Sequence, residues 1–210
     1  MKFLEVETTL RKLPDSYDFS VTLAISGSSQ LLARYLRAHL AVFGLNVNVL
    51  ELPFGTLTQH LATQPTHREI FLLLPWDLAP ELDWRSGVPV GNHVAEEILE
   101  KVRGTTTTIA NRDGAVLAYM PAPSPPILES LDSNQVLRSG IAFLVAERGA
   151  FVLPEGLFSL GSYLANGSPV SGQSVSQVAE ELARLFVSIL RPRRKVRSEE
   201  HTSELQSRVD

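Results

Sequence analysis

Apolar positions along this chain fall into short unbroken runs separated by helical stripes. Residues 19–26 read FSVTLAIS, apolar and β-branched, and stop at Gly27. A run of that length bounded by a turn residue is the pattern of a strand buried on both faces. After Ser28-Ser29, Leu31, Leu32, Tyr35, Leu36, Leu40 and Phe43 recur at helical spacing, and Gly44 supplies a C-terminal stop. Residues 45–52 (LNVNVLEL) alternate and predict a second strand. Pro53-Phe54-Gly55 opens a short helix through Leu61, and residues 69–74 (EIFLLL) form a third buried strand ended by Pro75.

Residues 76–91, rich in Pro, Asp and Trp, predict a loop, and Asn92 is placed to cap a helix carrying Val94, Ile98 and Val102. Thr105 to Thr108 pull two ways: four β-branched residues weaken a helix, yet Ile109 continues its apolar face. Asp113-Gly114 marks a turn before a fourth strand at 115–120 (AVLAYM), and residues 121–126 (PAPSPP) can only be extended. Gln135 to Arg148 predicts an amphipathic helix with Val136, Ile141, Leu144 and Val145 inward. A short fifth strand follows at 150–153. A last helix spans 174–190, with Val178, Leu182, Leu185, Phe186 and Ile189 buried.

This alternation predicts a three-layer α/β fold: a doubly wound, mainly parallel five-stranded sheet of flavodoxin-like or SGNH-like type with helices on both faces. Residues 1–18 form a lead-in, 19–190 the α/β domain and 191–196 a linker. Residues 197–207 read RSEEHTSELQS, which resembles the translation of a sequencing-adapter oligonucleotide; residues 197–210 are therefore expected to be a disordered tail foreign to the natural protein. Only Leu205 and Val209 are apolar there, too few to offset the entropy of ordering that backbone.

Composition narrows the function classes. The chain is 44% hydrophobic and 20% charged, with a formal charge of −4 to which the tail contributes four acids against two arginines, so the body is nearly neutral. Nothing in that balance resembles the footprint of a nucleic-acid binder. Cysteine is absent, which excludes a disulfide framework and thiolate metal sites. The start carries acids early and does not read as a secretory signal, and no apolar run approaches the ~20 residues needed to cross a bilayer. A cytoplasmic protein without membrane contact is the expectation.

Three segments fall at the carboxyl ends of the predicted strands, where α/β sheets bind ligands: Gly27-Ser28-Ser29, the Trp-rich loop after strand three and the Pro-rich loop after strand four. The first is Ser26-Gly27-Ser28-Ser29. SGNH-type hydrolases carry a Gly-Asp-Ser at this strand-to-helix turn and an Asp-x-x-His near the last helix. Here Ser28 stands at the aspartate position and Ser29 at that of the nucleophile. The closing segment, Asn166-Gly167-Ser168-Pro169, offers neither Asp nor His, and a serine without a general base is a poor nucleophile at neutral pH; His93, after the loop behind strand three, is the first histidine to consider as that base. Helix capping by Ser28 and Ser29 is the favoured reading; anion binding by Gly27, Ser28 and their N–H groups is a third. The second site is Pro75-Trp76-Asp77 with Asp83-Trp84-Arg85, where Arg85 can clamp a carboxylate or phosphate and the two indoles can cover a ligand, or where Arg85 can simply pair inside the loop. The third, residues 119–126 (YMPAPSPP), reads as a rigid connection across the sheet edge rather than a polyproline II docking segment, and a fourth candidate is the 158–167 stretch, FSLGSYLANG, whose small residues suggest close backbone approach to a ligand or a neighbouring loop. No metal motif and no phosphate-binding Gly-Lys-Ser/Thr loop is present.

Residues 75–89 (PWDLAPELDWRSGVP), the proline run after Tyr119 and the stretch Phe158-Ser159-Leu160-Gly161-Ser162-Tyr163-Leu164 together resemble the N-terminal region of FkbH-like proteins, the subfamily IIIC group of the HAD superfamily. The resemblance covers roughly residues 19–196, in order. It implies an SGNH-like domain followed by a HAD domain whose first strand begins Lys-Val-Leu-Val, and Lys195-Val196 match its first two residues. The natural protein is thus expected to continue where this chain is truncated. HAD chemistry uses an Asp-x-Asp pair and Mg²⁺. No Asp-x-Asp occurs here, so the metal is expected only in the missing domain and the chain alone is expected to be inactive. For the intact parent the resemblance implies phosphatase-like chemistry or glyceryl transfer, with an acyl carrier protein as a possible partner. A degenerate esterase or acyltransferase using Ser29, and a structural or assembly module, are the alternative readings.

Overall fold

The computed structural model describes residues 1–83, 94–122 and 132–191, apart from the side chains of 132–134. Trp84, Arg85, the Asn92 cap, His93, residues 123–126 of the proline run and the 197–210 tail lie outside the described residues.

The strands are β1 (Phe19–Ile25), β2 (Val47–Glu51), β3 (Arg68–Leu73), β4 (Val116–Tyr119) and β5 (Phe151–Val152). They pair parallel throughout in the order β2-β1-β3-β4-β5. This is the flavodoxin-like order, with its topological switch point between β1 and β3. Strand periodicity splits the core into two layers. Val21, Leu23, Ile25, Ile70, Leu72, Val116 and Ala118 face one side, and Ala24, Phe71, Leu73, Leu117 and Tyr119 face the other. Because both faces are covered, the central strands carry no polar alternation, which is why they read as unbroken apolar runs.

Helices α1 (Phe3–Arg11), α2 (Gln30–Val42) and α8 (Val175–Leu190) cover the first face. Helices α5 (Ala95–Ala110) and α6 (Asp132–Glu147), with the short α3 (Leu57–Leu61) and α4 (Pro75–Leu78), cover the second; α7 (Leu160–Asn166) precedes α8. Gly44 closes α2 at φ +79°, and Gly114 makes the turn before β4 at φ +67°. The run Thr105–Thr108 is helical. Thr106 is fully buried with its hydroxyl donating to Val102 O (2.7 Å), and Thr108 donates to Gly104 O (2.9 Å). These bonds to the preceding turn let β-branched residues stay in the helix.

Three expectations are corrected. Residues 3–11, read as part of a lead-in, form α1, and Val6 is fully buried against the first core. Val136 is 73% exposed: Leu137 takes its place on the inward face of α6, beside Ile141, Leu144 and Val145, which are buried as expected. Ile189, in the last turn of α8, is 42% exposed, because the buried stripe ends at Phe186.

Candidate functional site

At the switch point, β1 ends at Ile25 and the chain turns through Ser26-Gly27-Ser28 into α2. Opposite lies the loop after α7. Gly167 sits at φ +74°, and its carbonyl accepts the Ser28 N–H (2.9 Å). A Cβ on Gly27 would meet that same carbonyl oxygen at 2.5 Å, so glycine is required there by close backbone approach. The Gly27 N–H donates to Ile25 O (3.1 Å). Both amides that the anion-binding reading needs are therefore committed within the protein. Gly27, Ser28, Phe54, Tyr163 and Gly167 line a small, open cavity of about 270 Å³ at this edge.

The structure brings Gly27 and Ser28 to that cavity, but not the Ser29 hydroxyl. Ser29 is the N-cap residue of α2, 6% exposed, and makes no side-chain capping bond. Its hydroxyl donates instead to the carboxylate of Glu51 at the end of β2. Among the described residues no imidazole reaches it: His39 Nε2 lies 3.1 Å from Ser176 Oγ, and His60 Nε2 lies 2.5 Å from Glu69 Oε1. Sequence reasoning missed Glu51 because it looks like an ordinary polar end to an alternating strand. The parallel register, which sets Glu51 against Leu23, brings it beside the β1–α2 turn.

Trp76 and Asp77 follow β3 on the other side of the switch point. Pro75 at the first position of α4 is preorganised for the helix, and Asp77 Oδ2 accepts the Leu74 N–H (2.8 Å). Trp76 is buried among Phe158 and Tyr163, with ring centroids 6.2 and 5.2 Å away. The aromatic cluster thus joins the loop after β3 to the 158–167 stretch, two of the segments that carry the family resemblance. Trp76 and Asp77 also border a cavity of about 660 Å³ with Ser26, Leu57, Thr105 and Lys101 on its walls. Asn166 is exposed, and its Oδ1 accepts the Ser168 N–H (3.0 Å), so it shapes the turn that delivers Gly167. The close approach expected of the 158–167 stretch occurs at Gly167 and not at Gly161, where an added Cβ would have nothing within 4 Å.

A further cavity of about 420 Å³ lies beyond β4, lined by Tyr119, Gln135, Arg138 and Glu155. Arg138 pairs there with Glu155. Burial pushes the Tyr119 phenol well above its ordinary range, so it stays protonated as a donor. Among the described residues no cluster of three or more His, Asp or Glu side chains could hold a metal ion, and no helix is long and apolar enough to cross a membrane.

No protein-family model matches the sequence, and no curated protein matches it. The fold is similar to the crystal structure of the N-terminal part of the protein BF1531 from Bacteroides fragilis, containing a phosphatase domain and complexed with Mg. The two align with a TM-score of 0.67 at 11% identity. The alignment covers 90% of this chain and 57% of that one, so the chain spans little more than half of its structural neighbour. A diflavin flavoprotein A3 from Nostoc sp. aligns over 84% of the chain with a TM-score of 0.32 at 11% identity, too distant to carry an argument.

Proposed function

We propose that this chain is the N-terminal α/β domain of an FkbH-like protein of HAD subfamily IIIC, acting as an accessory or partner-binding domain. The catalytic phosphatase-type domain would belong to the part of the parent protein that follows it. The observation that carries this reading is the unequal coverage of the BF1531 alignment: nearly all of this chain corresponds to about half of a structure that also contains a phosphatase domain. The absence of Asp-x-Asp agrees with it, since that pair supplies the nucleophile and the acid/base of HAD chemistry. Mg²⁺ would belong to that catalytic domain, and an acyl carrier protein is the partner that the resemblance implies. The test compares this chain with a version extended by its natural downstream sequence, assayed on p-nitrophenyl phosphate with and without Mg²⁺. The extended protein should turn over and the chain alone should not. Metal-dependent turnover by the pure chain would sink the proposal.

One observation favours a second reading, a degenerate SGNH-type esterase: the Ser29 hydroxyl does touch a carboxylate, that of Glu51. A carboxylate is a weaker base than imidazole toward a serine hydroxyl, and Ser29 is nearly sealed from solvent. Hydrolysis of p-nitrophenyl acetate should be the same in wild type and Ser29→Ala. A loss confined to the variant, with its fold intact by circular dichroism, would promote the esterase reading over the first.

A further inference from the structure

A cavity of about 670 Å³ lies between α1, α2 and the edge strand β2. Its walls carry Arg11 from α1, Arg34 and Arg37 from α2, and the carboxylates of Glu7 and Glu51. Three guanidinium groups against two carboxylates leave one net positive charge. The charges are unequally committed. Glu7 is taken by Arg34 in a two-pronged pair, Nη2 to Oε2 at 2.5 Å, and that pairing holds the Glu7 carboxyl below its ordinary range. Glu51 accepts the Ser29 hydroxyl. Among the described residues neither Arg11 nor Arg37 forms an ion pair within 4 Å, although Arg11 is near enough to Glu7 to help hold its carboxyl down.

Arg37 is the more telling of the two. Its guanidinium carbon lies 5.0 Å from the centre of the Tyr17 ring, and its Nε is buried with no hydrogen-bond partner. That Nε has no exposed surface of its own, so an acceptor oxygen from the cavity gains it only if the side chain turns, and satisfying a buried donor otherwise left unmade would favour that turn. The Asn48 side chain on β2 lies on the same wall as a further neutral hydrogen-bonding group. Guanidinium forks match the paired oxygens of carboxylate and phosphate groups.

We propose that this cavity is a binding site for a small molecule bearing a terminal oxyanion, a phosphate or a carboxylate, held by Arg11 and Arg37. The Arg34–Glu7 pair lines its rim, and the Glu51 carboxylate restricts entry to ligands that place a hydrogen-bond donor beside the anion. The site is independent of any phosphatase domain.

The test is an NMR titration of the full ¹⁵N-labelled chain with sodium phosphate, and separately with sodium acetate, at constant ionic strength so that general screening is the same throughout. The Nε–Hε signals of Arg11 and Arg37 should shift saturably with at least one anion, while that of Arg103, paired with Glu100 on α5, stays still. Saturation with phosphate alone marks a phosphate site, with acetate alone a carboxylate site. Arg37→Gln should weaken binding about tenfold, the order expected for one charge-assisted contact. Should Arg37→Gln fail to fold by circular dichroism, Arg11→Gln on the exposed last turn of α1 decides the matter and should also weaken binding. No saturable shift at millimolar anion, equal shifts at Arg103, or unchanged affinity in the folded variant would overturn the proposal.

Discussion

A methyl group added at Gly27 would sit 2.5 Å from the Gly167 carbonyl oxygen and 3.1 Å from the Pro169 ring, so one of two backbones must move. Gly27→Ala should therefore destabilise the protein by about 1–3 kcal/mol, the usual range for overpacking. Gly104 is its opposite: it lies inside α5, exposed, with nothing within 4 Å of an added Cβ. There the only effect is on helix propensity and chain entropy, and Gly104→Ala should stabilise by about 0.5–1 kcal/mol. Urea denaturation of the two variants checks both signs, and destabilisation by Gly104→Ala would mean that α5 depends on the open space at that position. The sequence announces a glycine at each place but not which kind. Gly27 stands at a strand-to-helix turn, where close approach is a fair expectation. Its actual partner comes from about 140 residues further along the chain, and no local pattern holds that information.

Among the elements, α3, β3 and α5 are tied at the amino end of the sheet by a buried charge cluster. Glu69 is 2% exposed; Arg112 reaches it through Nε (2.5 Å) and Nη2 (3.0 Å), and His60 through Nε2 (2.5 Å). Arg112 Nη1 also donates to Thr63 O (2.9 Å), so one side chain holds the α3–β3 connection. Arg112→Met leaves a buried carboxylate without its main counter-charge and should cost about 3–5 kcal/mol, read as a lower denaturation midpoint. Adding Glu69→Gln should recover part of that loss, because the stranded charge is what hurts. A second link, between α2 and α8, predicts a pH dependence. Burial, followed by the Met1 ammonium, holds the His39 imidazole below the ordinary histidine value of 6.5, with Glu180 opposing. The unfolded chain then binds the proton more readily than the folded one. Stability contributed at His39 is complete above 6.5 and drains away as pH falls from there through the lower folded value. His39→Gln should flatten that part of the curve of midpoint against pH, and an unchanged slope would assign the dependence to other groups. The strands and long helices are legible from hydrophobic period alone, because both sheet faces are buried and the central strands β3 and β4 are continuous apolar runs, while the edge strand β2 alternates. The Glu69 cluster was not: its members are 9 and 43 residues apart, and in a linear reading they pass for surface charges.

At the scale of the whole molecule, the two cores share every central strand. Leu23 faces one layer and Ala24 the other; Leu72 and Leu73 divide in the same way. Neither layer can melt without stripping one face of the sheet that the other needs, so unfolding should be a single cooperative transition. The less obvious member of this unit is α1. The expected domain start at Phe19 followed from the first strong strand signal, and residues 3–11 carry only a modest apolar stripe. Yet Val6 is fully buried, with Met1 and Leu10 packed beside it, and α1 lies along α2. The Glu7–Arg34 pair that accompanies this packing is half open to water, where such pairs contribute little, so the apolar contact dominates. Full burial of a valine stabilises by about 1.5–3 kcal/mol, and the partly covered Leu10 adds to it. A chain lacking residues 1–12 should consequently lose about 2–4 kcal/mol. Its thermal midpoint should fall by several degrees while the transition stays single. Differential scanning calorimetry of the two lengths tests this: an unchanged midpoint would make α1 a dispensable lead-in, and a second, earlier transition in the full chain would make it a separate folding unit. A single lowered transition is the result that the shared core requires.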